Sequence, residues 1–322
     1  MRAMRAEAFA GYSDLKLIQV AKPVPTDGRV LVRITAAGVT PLDHTILSGN
    51  FPLAKAPLIL GNEGAGVVED PGNSSFPVGS RVMFFGPYGA FEDGTYCEWI
   101  AARPEDLCLI PESLDDATAG SAPVAYLTAQ ITLLQAGFEP GKTVLAPAIG
   151  GSVGNAVTQL ARAQGAKYAI STTSTLKAEQ AKTLGYENVI DLSRGSLADG
   201  VKRITGGQGV DIVIESVGGS LTGQALSALA LNGVLITLGY SAGRAATIDL
   251  TDLIWKRARM SGFSLFAQTP AVIATAWNTI VPQFASRSVK PVLERAYPLE
   301  EAAKALRHLI EDRPFGRVVL TP

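Results

Sequence analysis

The middle of the chain alternates continuous apolar runs with segments whose apolar residues recur at helical spacing. Runs typical of buried strands cover 144–148, 167–174, 188–191, 210–215, 233–239 and 260–266. Helical segments cover 155–165, 176–184, 197–205 and 221–230 between them. Strands that are apolar on both faces occur in parallel sheets covered by helices, so the pattern predicts a doubly wound α/β domain.

The N-terminal part has a different pattern. Short β-rich runs such as 29–35 and 64–69 are separated by Gly and Pro, and few segments have helical periodicity. We therefore expect a β-rich, barrel-like domain before the parallel sheet. Small residues and prolines at 120–123 and 267–270 predict where the chain enters and leaves the doubly wound domain.

Composition excludes several classes of function. The 322 residues, 47% of them hydrophobic, are enough for two domains with their own cores. A net charge of −1 gives no reason to expect nucleic acid or an acidic membrane as partner. Residues 1–7 lack the apolar core of a secretion signal, and no apolar run is long enough to span a bilayer, so we expect a cytoplasmic protein. Cys97 and Cys108 are too few for a four-thiolate zinc lobe.

A glycine-rich turn follows the first strand of the parallel region. Its spacing is Ala148-x-x-Gly151-x-x-Gly154, with Ile149 at the first position of the usual G-x-G-x-x-G pattern. Gly151 lets the backbone approach phosphates, Gly154 lets the helix pack closely on the strand, and the helix N-terminus favours an anion. Taken alone, the turn fits either a dinucleotide site or a plain strand-to-helix connection.

The end of the next strand bears on the identity of the cofactor. NAD enzymes carry an acid about 20 residues after the turn for the ribose 2′-OH. Here the sequence has Thr172, Thr173, Ser174 and then Lys177, which suit a 2′-phosphate and favour NADPH over NADH. Alternatively, Lys177 is an ordinary solvated residue of the following helix. Loops of small residues after two later strands, at 216–219 and 239–243, lie where doubly wound folds bind ligands.

Five motifs in order extend these observations to the whole chain: 37–43, 57–66, 79–82, the glycine turn and 316–320. Together they resemble the zinc-independent quinone oxidoreductase (zeta-crystallin-like) branch of the medium-chain dehydrogenase/reductase superfamily. The resemblance implies a GroES-like catalytic domain formed by 1–122 and 268–322. It also implies a Rossmann NADP-binding domain formed by 123–267, and a cleft where the two domains meet.

The resemblance also indicates whether the chain has the ligands of a catalytic zinc site. Thr40, Asn62 and Val124 match the positions at which zinc-dependent alcohol dehydrogenases hold their catalytic zinc, and none of them is a good zinc ligand. We therefore expect no metal site. His308 is expected in a surface or packing role on a predicted helix over 299–311. His44, beside the expected cleft, is expected to pack, with a substrate contact as the alternative.

Without a Lewis acid, an acceptor that delocalises its own charge is favoured. The resemblance therefore implies hydride transfer from NADPH to a quinone or an α,β-unsaturated carbonyl, with Thr40 and Asn62 as hydrogen-bond donors to the carbonyl oxygen. The proton would come from water, Tyr88 or Tyr240, although both tyrosines fit packing roles as well. Asp43 matches the family and is expected to be a structural cap.

The residues that the resemblance places at the cofactor are Thr128 at the domain-joining helix, Gly151, Val153 and Gly154 at the pyrophosphate, Ser174 and Lys177 at the 2′-phosphate, Gly239, Tyr240 and Phe266 at the nicotinamide, and Arg317 near the phosphate edge. Thr40, Thr45 and Leu47 replace the Asn, Tyr and Arg usual in this branch, so the identity of the acceptor stays open.

Family members pair through the strand at 260–266, which predicts a homodimer.

Two alternatives remain at this stage. The chain could be a zinc-dependent alcohol dehydrogenase, since relatives often carry that label. It could also be a non-catalytic NADPH-binding protein with a structural or regulatory role.

Overall fold

The computed structural model describes all 322 residues. Its strands are β1 (Arg2–Ala6), β2 (Leu15–Gln19), β3 (Val30–Val39), β4 (Leu58–Ile59), β5 (Glu63–Asp70), β6 (Arg81–Phe85), β7 (Trp99–Ala102), β8 (Leu107–Leu109), β9 (Thr143–Ala146), β10 (Tyr168–Thr173), β11 (Val189–Asp191), β12 (Val210–Glu215), β13 (Leu229–Thr237), β14 (Arg259–Gly262), β15 (Leu293–Pro298) and β16 (Arg317–Thr321).

Its α-helices are α1 (Pro41–Leu47), α2 (Asp116–Gly120), α3 (Pro123–Gln135), α4 (Ser152–Ala163), α5 (Thr175–Thr183), α6 (Leu197–Thr205), α7 (Ser220–Ser227), α8 (Leu250–Lys256), α9 (Pro270–Ala285) and α10 (Ala302–Arg307). No helix is both long enough and apolar enough to cross a membrane.

The chain divides into two compact units. The first comprises 1–124, 269–287 and 291–322, and the second comprises 125–268 and 288–290. The predicted architecture is confirmed, since a β-rich unit accompanies a parallel, doubly wound sheet.

The second unit is built on six parallel strands in the order β11-β10-β9-β12-β13-β14. Its central strands are the continuous apolar runs of the sequence, because both of their faces are covered. Helices α4, α6 and α7 pack on these strands. The core joins Leu145, Ile170 and Val213 of the strands to Val201 and Leu226 of the helices.

The first unit contains a seven-stranded sheet in which β3 is central. β3 pairs antiparallel with β5 along most of its length, with β7 along 30–33 and with β16 along 37–39. This pairing brings the residues that follow β3 beside those that precede β5 and those that begin β16. A separate three-stranded sheet has the order β2-β1-β4.

Most predicted elements are displaced by a few residues at their ends, and three of the differences have a clear structural basis. The helix expected over 221–230 ends at Ser227, because Leu229 already pairs with Val210 at the start of β13. The strand expected over 260–266 is β14, which stops at Gly262 and is followed by a 3-10 turn that contains Phe266. The helix expected over 299–311 is a 3-10 turn, then α10, then a π-helical turn from His308 to Asp312.

Candidate functional site

The glycine turn leads into α4, whose first turn is free to bind an anion. β9 ends at Ala146, and Gly151 is the N-cap of the twelve-residue helix α4, so no side chain caps the first turn. The first-turn N–H groups of a helix have no acceptor within the helix. A Cβ on Gly154 would overlap the carbonyl oxygen of Pro147, which explains the requirement for glycine there. These residues fit a pyrophosphate at the start of α4.

The turn is held to the neighbouring strand by Thr172. The hydroxyl oxygen of Thr172 accepts from the backbone N–H of Ala148 at 3.0 Å, and its carbonyl accepts from Ile149 at 2.9 Å. Thr172 is buried, so it supports the turn rather than presenting a hydroxyl at the surface. Ala148 itself has φ of 65°, a left-handed conformation that costs a residue with a Cβ about 1–2 kcal/mol.

The residues predicted to bind a 2′-phosphate lie at the start of α5. Ser174 is exposed and is the N-cap of α5, and Lys177 follows in its first turn. The structure also brings Asp191 here, which the sequence analysis missed: its Oδ2 accepts from the Thr175 hydroxyl at 2.8 Å and lies 3.6 Å from Arg194 Nε. The signal was available, because β11 lies beside β10 and parallel strands end at the same edge.

The nicotinamide-side residues occupy loops after parallel strands. Gly239 and Tyr240 follow β13, and Tyr240 is about half exposed with Arg244 over its ring. Phe266 is half buried in its 3-10 turn. Val153 lies in the first turn of α4, and Thr128 is buried on α3. Their contacts with a cofactor stay predictions.

In the first unit, Thr40 and Asn62 lie next to each other, because β3 ends just before Thr40 and β5 begins just after Asn62. The Oγ1 atom of Thr40 is 3.4 Å from Oδ1 of Asn62. Thr40 is also the N-cap of α1, and Asp43 completes a capping box with it. The expectation that Asp43 is a structural cap therefore describes its geometry correctly.

Asp43 is the most heavily hydrogen-bonded group of this cluster. Its Oδ2 accepts from the Thr40 N–H at 2.7 Å, the Thr40 hydroxyl at 2.8 Å and the Tyr96 hydroxyl at 3.1 Å. Its Oδ1 accepts from the Gly61 N–H at 3.1 Å. Burial raises the pKa of Asp43, and these donated hydrogen bonds oppose that effect and favour the carboxylate. Burial beside this carboxylate also raises the pKa of Tyr96, which stays a neutral donor.

The number of hydrogens on Thr40 and Asn62 determines which of them can donate a hydrogen bond to a ligand. A hydroxyl has one hydrogen, so Thr40 cannot donate to both Asp43 and Asn62. The carboxylate at 2.8 Å is the stronger acceptor and takes that hydrogen. The two ends of an amide have the same shape, and turning Asn62 about its last bond lets its NH2 donate to Thr40. Asn62, with a second N–H remaining, is then the better donor to an incoming oxygen, and Thr40 is its support.

Arg317 does not lie where the sequence analysis placed it. Its guanidinium is buried and forms an ion pair with Oε1 of Glu63, and its Nε donates to the carbonyl of Ser121 at 2.8 Å. Oε2 of Glu63 accepts from the Val124 N–H at 2.7 Å. Burial raises the pKa of Glu63, and the charge of Arg317 opposes that shift. The prediction that Arg317 reaches a cofactor phosphate is wrong, because its side chain is buried inside the first unit and its charge is paired with Glu63.

Tyr88 is also unsuited to its predicted role as a proton donor. Its side chain is fully buried, and its hydroxyl donates to Oδ2 of Asp106 at 2.7 Å and accepts from the Arg103 N–H at 2.8 Å. Burial and the charge of Asp106 raise the pKa of Tyr88. The hydroxyl therefore holds the segment at 103–106, which is the packing role that the sequence left open.

Side chains that could ligate a metal do not come together. No group of three or more His, Cys, Asp or Glu residues has a suitable arrangement. His44 lies on α1 with its Nε2 3.3 Å from the Ser48 hydroxyl. His308 lies between Asp312 and Glu294, at 2.7 and 2.9 Å from their carboxylates. Thr40, Asn62 and Val124 present hydroxyl, amide and apolar groups, a set that does not suit zinc.

Known proteins resemble the chain along its full length. A family model described as the alcohol dehydrogenase GroES-like domain matches residues 26–134, and one described as zinc-binding dehydrogenase matches 152–281. The quinone oxidoreductase of Rattus norvegicus is 30% identical over 330 residues, which cover 99% of this chain and 97% of the relative.

Solved structures give the same result. A quinone oxidoreductase from Pseudomonas syringae pv. Tomato DC3000 has a TM-score of 0.86 and 30% identity, and the match covers 100% of this chain and 99% of the other. A mycobacterial protein solved in complex with NADPH has a TM-score of 0.88 and 29% identity, with 100% of both chains covered.

Proposed function

Because the chain belongs to the quinone oxidoreductase family of the medium-chain dehydrogenase/reductase superfamily, we propose that it is an NADPH-dependent reductase of quinones or α,β-unsaturated carbonyls that works without a metal. The observation that carries the proposal is the cluster of Thr40, Asp43 and Asn62. It offers one neutral hydrogen-bond donor, the Asn62 amide supported by Thr40, at positions where zinc-dependent relatives carry metal ligands.

The chemistry follows from this donor set. NADPH supplies the hydride, and addition to a conjugated system moves negative charge onto a carbonyl oxygen. The free N–H of Asn62 would donate to that oxygen, where charge develops. Thr40, with its hydrogen held by Asp43, fixes the orientation of the Asn62 amide. Water or Tyr240 would then deliver the proton to the product, since Tyr88 has no accessible hydroxyl.

The start of α4 supports binding of the cofactor pyrophosphate, with Gly151, Val153 and Gly154 as its contacts. Preference for NADPH is supported by exposed Ser174, by Lys177 in the same helical turn, and by the absence of an acid at the end of β10. We assign the nicotinamide end to Gly239, Tyr240 and Phe266, with Thr128 nearby. The first unit would then be the catalytic domain.

We also propose that the protein is a homodimer. β14 is the edge strand of the parallel sheet, and all four of its residues are exposed. The preceding helix α8 packs on β13 and exposes Leu250, Ile254 and Trp255. An exposed strand with one unpaired edge and apolar neighbours is well suited to pairing with a second copy of the same chain.

Two variants test the proposed donor and cofactor sites. Asn62→Leu keeps the approximate volume and removes the amide, and we expect kcat with an enone to fall about 100-fold, as for loss of one oxyanion donor. Binding of NADPH, followed by fluorescence, should be unchanged. Lys177→Ala should weaken NADPH more than NADH. Unchanged turnover in Asn62→Leu would overturn the assignment of the donor.

A further inference from the structure

Glu215 is a buried carboxylate without a charged partner. It ends β12 in the second unit and is fully excluded from solvent. Its Oε1 accepts from the backbone N–H groups of Val217 and Gly218 at 2.6 and 2.8 Å. Its Oε2 accepts from the Thr222 hydroxyl at 3.0 Å and, more weakly, from the Thr237 hydroxyl at 3.4 Å. A buried charge satisfied only by neutral donors is costly to keep, so it needs a physical explanation.

The two N–H groups that the Glu215 carboxylate binds belong to a loop after β12, and this loop touches a second loop after β13. The β12 loop is 216–219 and the β13 loop is 238–243. The Ala242 N–H donates to the Val217 carbonyl at 2.7 Å, and the Gly219 N–H donates to the Gly243 carbonyl at 3.0 Å. The Leu238 N–H donates to the carbonyl of Glu215 itself at 2.9 Å.

Glycine makes this contact between the loops possible. A Cβ on Gly239 would overlap the carbonyl of Ser216. A Cβ on Gly218, which has φ of 78°, would lie 2.5 Å from the Gly243 carbonyl and 2.7 Å from Cα of Tyr240. The two backbones therefore pack directly on each other as one layer, and the Glu215 carboxylate fixes the β12 loop of this layer through the N–H groups of Val217 and Gly218.

This layer lies at the edge of the sheet where ligands bind. β9, β12 and β13 are adjacent and parallel, so the two loops leave the same edge as the turn that leads to α4. Doubly wound folds bind their cofactors outside the carboxyl ends of such strands. The turn before α4 suits the pyrophosphate, and the β13 loop carries Gly239 and Tyr240, the proposed nicotinamide contacts.

We propose that Glu215 is a positioning residue for the nicotinamide half of NADPH, acting through the β12 and β13 loops. The assignment rests on the proposed function, because it requires a nicotinamide cofactor. Without the carboxylate, the buried N–H of Gly218 and the partly buried N–H of Val217 lose their acceptor, and the β12 loop must move to satisfy them. The adenosine half would bind near α5, whose residues make none of these contacts.

The test compares two ligands of the same protein by calorimetry or fluorescence. Glu215→Leu removes both acceptors, and we expect the Kd for NADPH to rise at least tenfold while the Kd for 2′,5′-ADP, the adenosine half alone, stays within twofold. Glu215→Gln keeps an oxygen for the two N–H groups and should show a smaller loss, up to fivefold. Thr237→Val removes only the contact at 3.4 Å and is the matched control, with no change expected.

The possible outcomes distinguish failure of the Glu215 assignment from failure of the proposed function. Equal weakening of both ligands, or no weakening of NADPH, would mean that Glu215 has a structural role only. A wild-type protein that binds neither ligand overturns the proposed function and this assignment with it. If Glu215→Leu does not fold, the Kd values for NADPH and 2′,5′-ADP are compared in Glu215→Gln and Thr222→Val instead. Hydrogen exchange at the N–H groups of Val217 and Gly218 should be faster in both of these variants than in the wild type.

Discussion

Asp43 determines the direction of the hydrogen bonds at the proposed donor site. Its carboxylate accepts from four groups, of which only the Thr40 hydroxyl also lies within hydrogen-bond distance of the Asn62 side chain. In Asp43→Asn, one acceptor becomes an NH2 that faces other donors, at a cost of about 1–3 kcal/mol of folding free energy. We expect kcat with an enone to fall about tenfold, in the range of a misplaced donor, with the KM for NADPH unchanged.

Tyr96→Phe is the matched control for Asp43→Asn. It removes a hydrogen bond to the same oxygen of Asp43 but leaves the Thr40 contact in place. We expect a loss of about 1 kcal/mol of stability and a kcat within about twofold of the wild type. Equal kcat losses in the two variants would show that Asp43 acts on the stability of the cluster and not on the direction of its hydrogen bonds.

Ala148 is strained in the turn before α4. Its φ of 65° is a conformation that glycine adopts without the Cβ penalty. Ala148→Gly should therefore raise the free energy of unfolding, by about 1 kcal/mol in urea denaturation. Ala146→Gly in the adjacent strand is the control and should be destabilising. A less stable Ala148→Gly would mean that contacts of the methyl group outweigh the backbone strain.

Asp106 gives stability a defined pH dependence. Burial raises the pKa of Asp106 to about 6, from its ordinary value of 3.8. The folded state then binds the proton more tightly, so this group's contribution is full below pH 3.8 and is lost as pH rises through 6. Asp106→Asn still accepts from Tyr88 but does not titrate. We expect the Tm of Asp106→Asn minus the Tm of the wild type, measured by calorimetry, to increase from pH 4 to pH 7. A difference in Tm that does not change with pH would contradict this assignment.

At the scale of elements, Glu63 and Arg317 join β5, β16 and the start of α3. They are 254 residues apart in the chain, and their ion pair is buried. Removing one partner of a buried pair leaves a charge unpaired, at a cost of about 3–5 kcal/mol. Arg317→Leu should lose this much stability in denaturant, whereas adding Glu63→Gln should restore part of it. We expect the affinity of the folded variant for NADPH to be unchanged. A selective loss of NADPH affinity would instead indicate that Arg317 contacts a cofactor phosphate.

Elements were predictable where local pattern and tertiary environment agree. β12 and α6 have the predicted bounds, because each is an uninterrupted periodic run between small residues. The helix over 221–230 was too long, because pairing of Leu229 with Val210 overrides its helical spacing. Thr40 and Asn62 could be placed together from their motifs. The partners of Arg317 and Tyr88 could not, since no sequence period relates residues that meet only through folding.

At the scale of the whole molecule, the exposed β14 edge predicts a dimer with twice the chain mass of 33.7 kDa. A charge at Met260 or Trp255 would face its own copy across a two-fold axis. We expect Trp255→Glu and Met260→Glu to shift the mass toward the monomer in light scattering. Leu176→Glu, at another exposed apolar position on α5, is the control and should leave the dimer intact. A monomeric wild type at micromolar concentration would contradict the proposed interface.

The central claim is hydride transfer to a conjugated acceptor without a metal. It is tested most directly by initial rates of NADPH oxidation, in EDTA, with ortho- and para-quinones, an enone, an enal and a saturated aldehyde, and with NADH for comparison. We predict turnover of the conjugated acceptors, faster with NADPH than with NADH, and none of the saturated aldehyde. Activity that appears only after zinc is added would contradict the metal-free account. Tight NADPH binding without turnover of any acceptor would instead indicate a non-catalytic NADPH-binding protein.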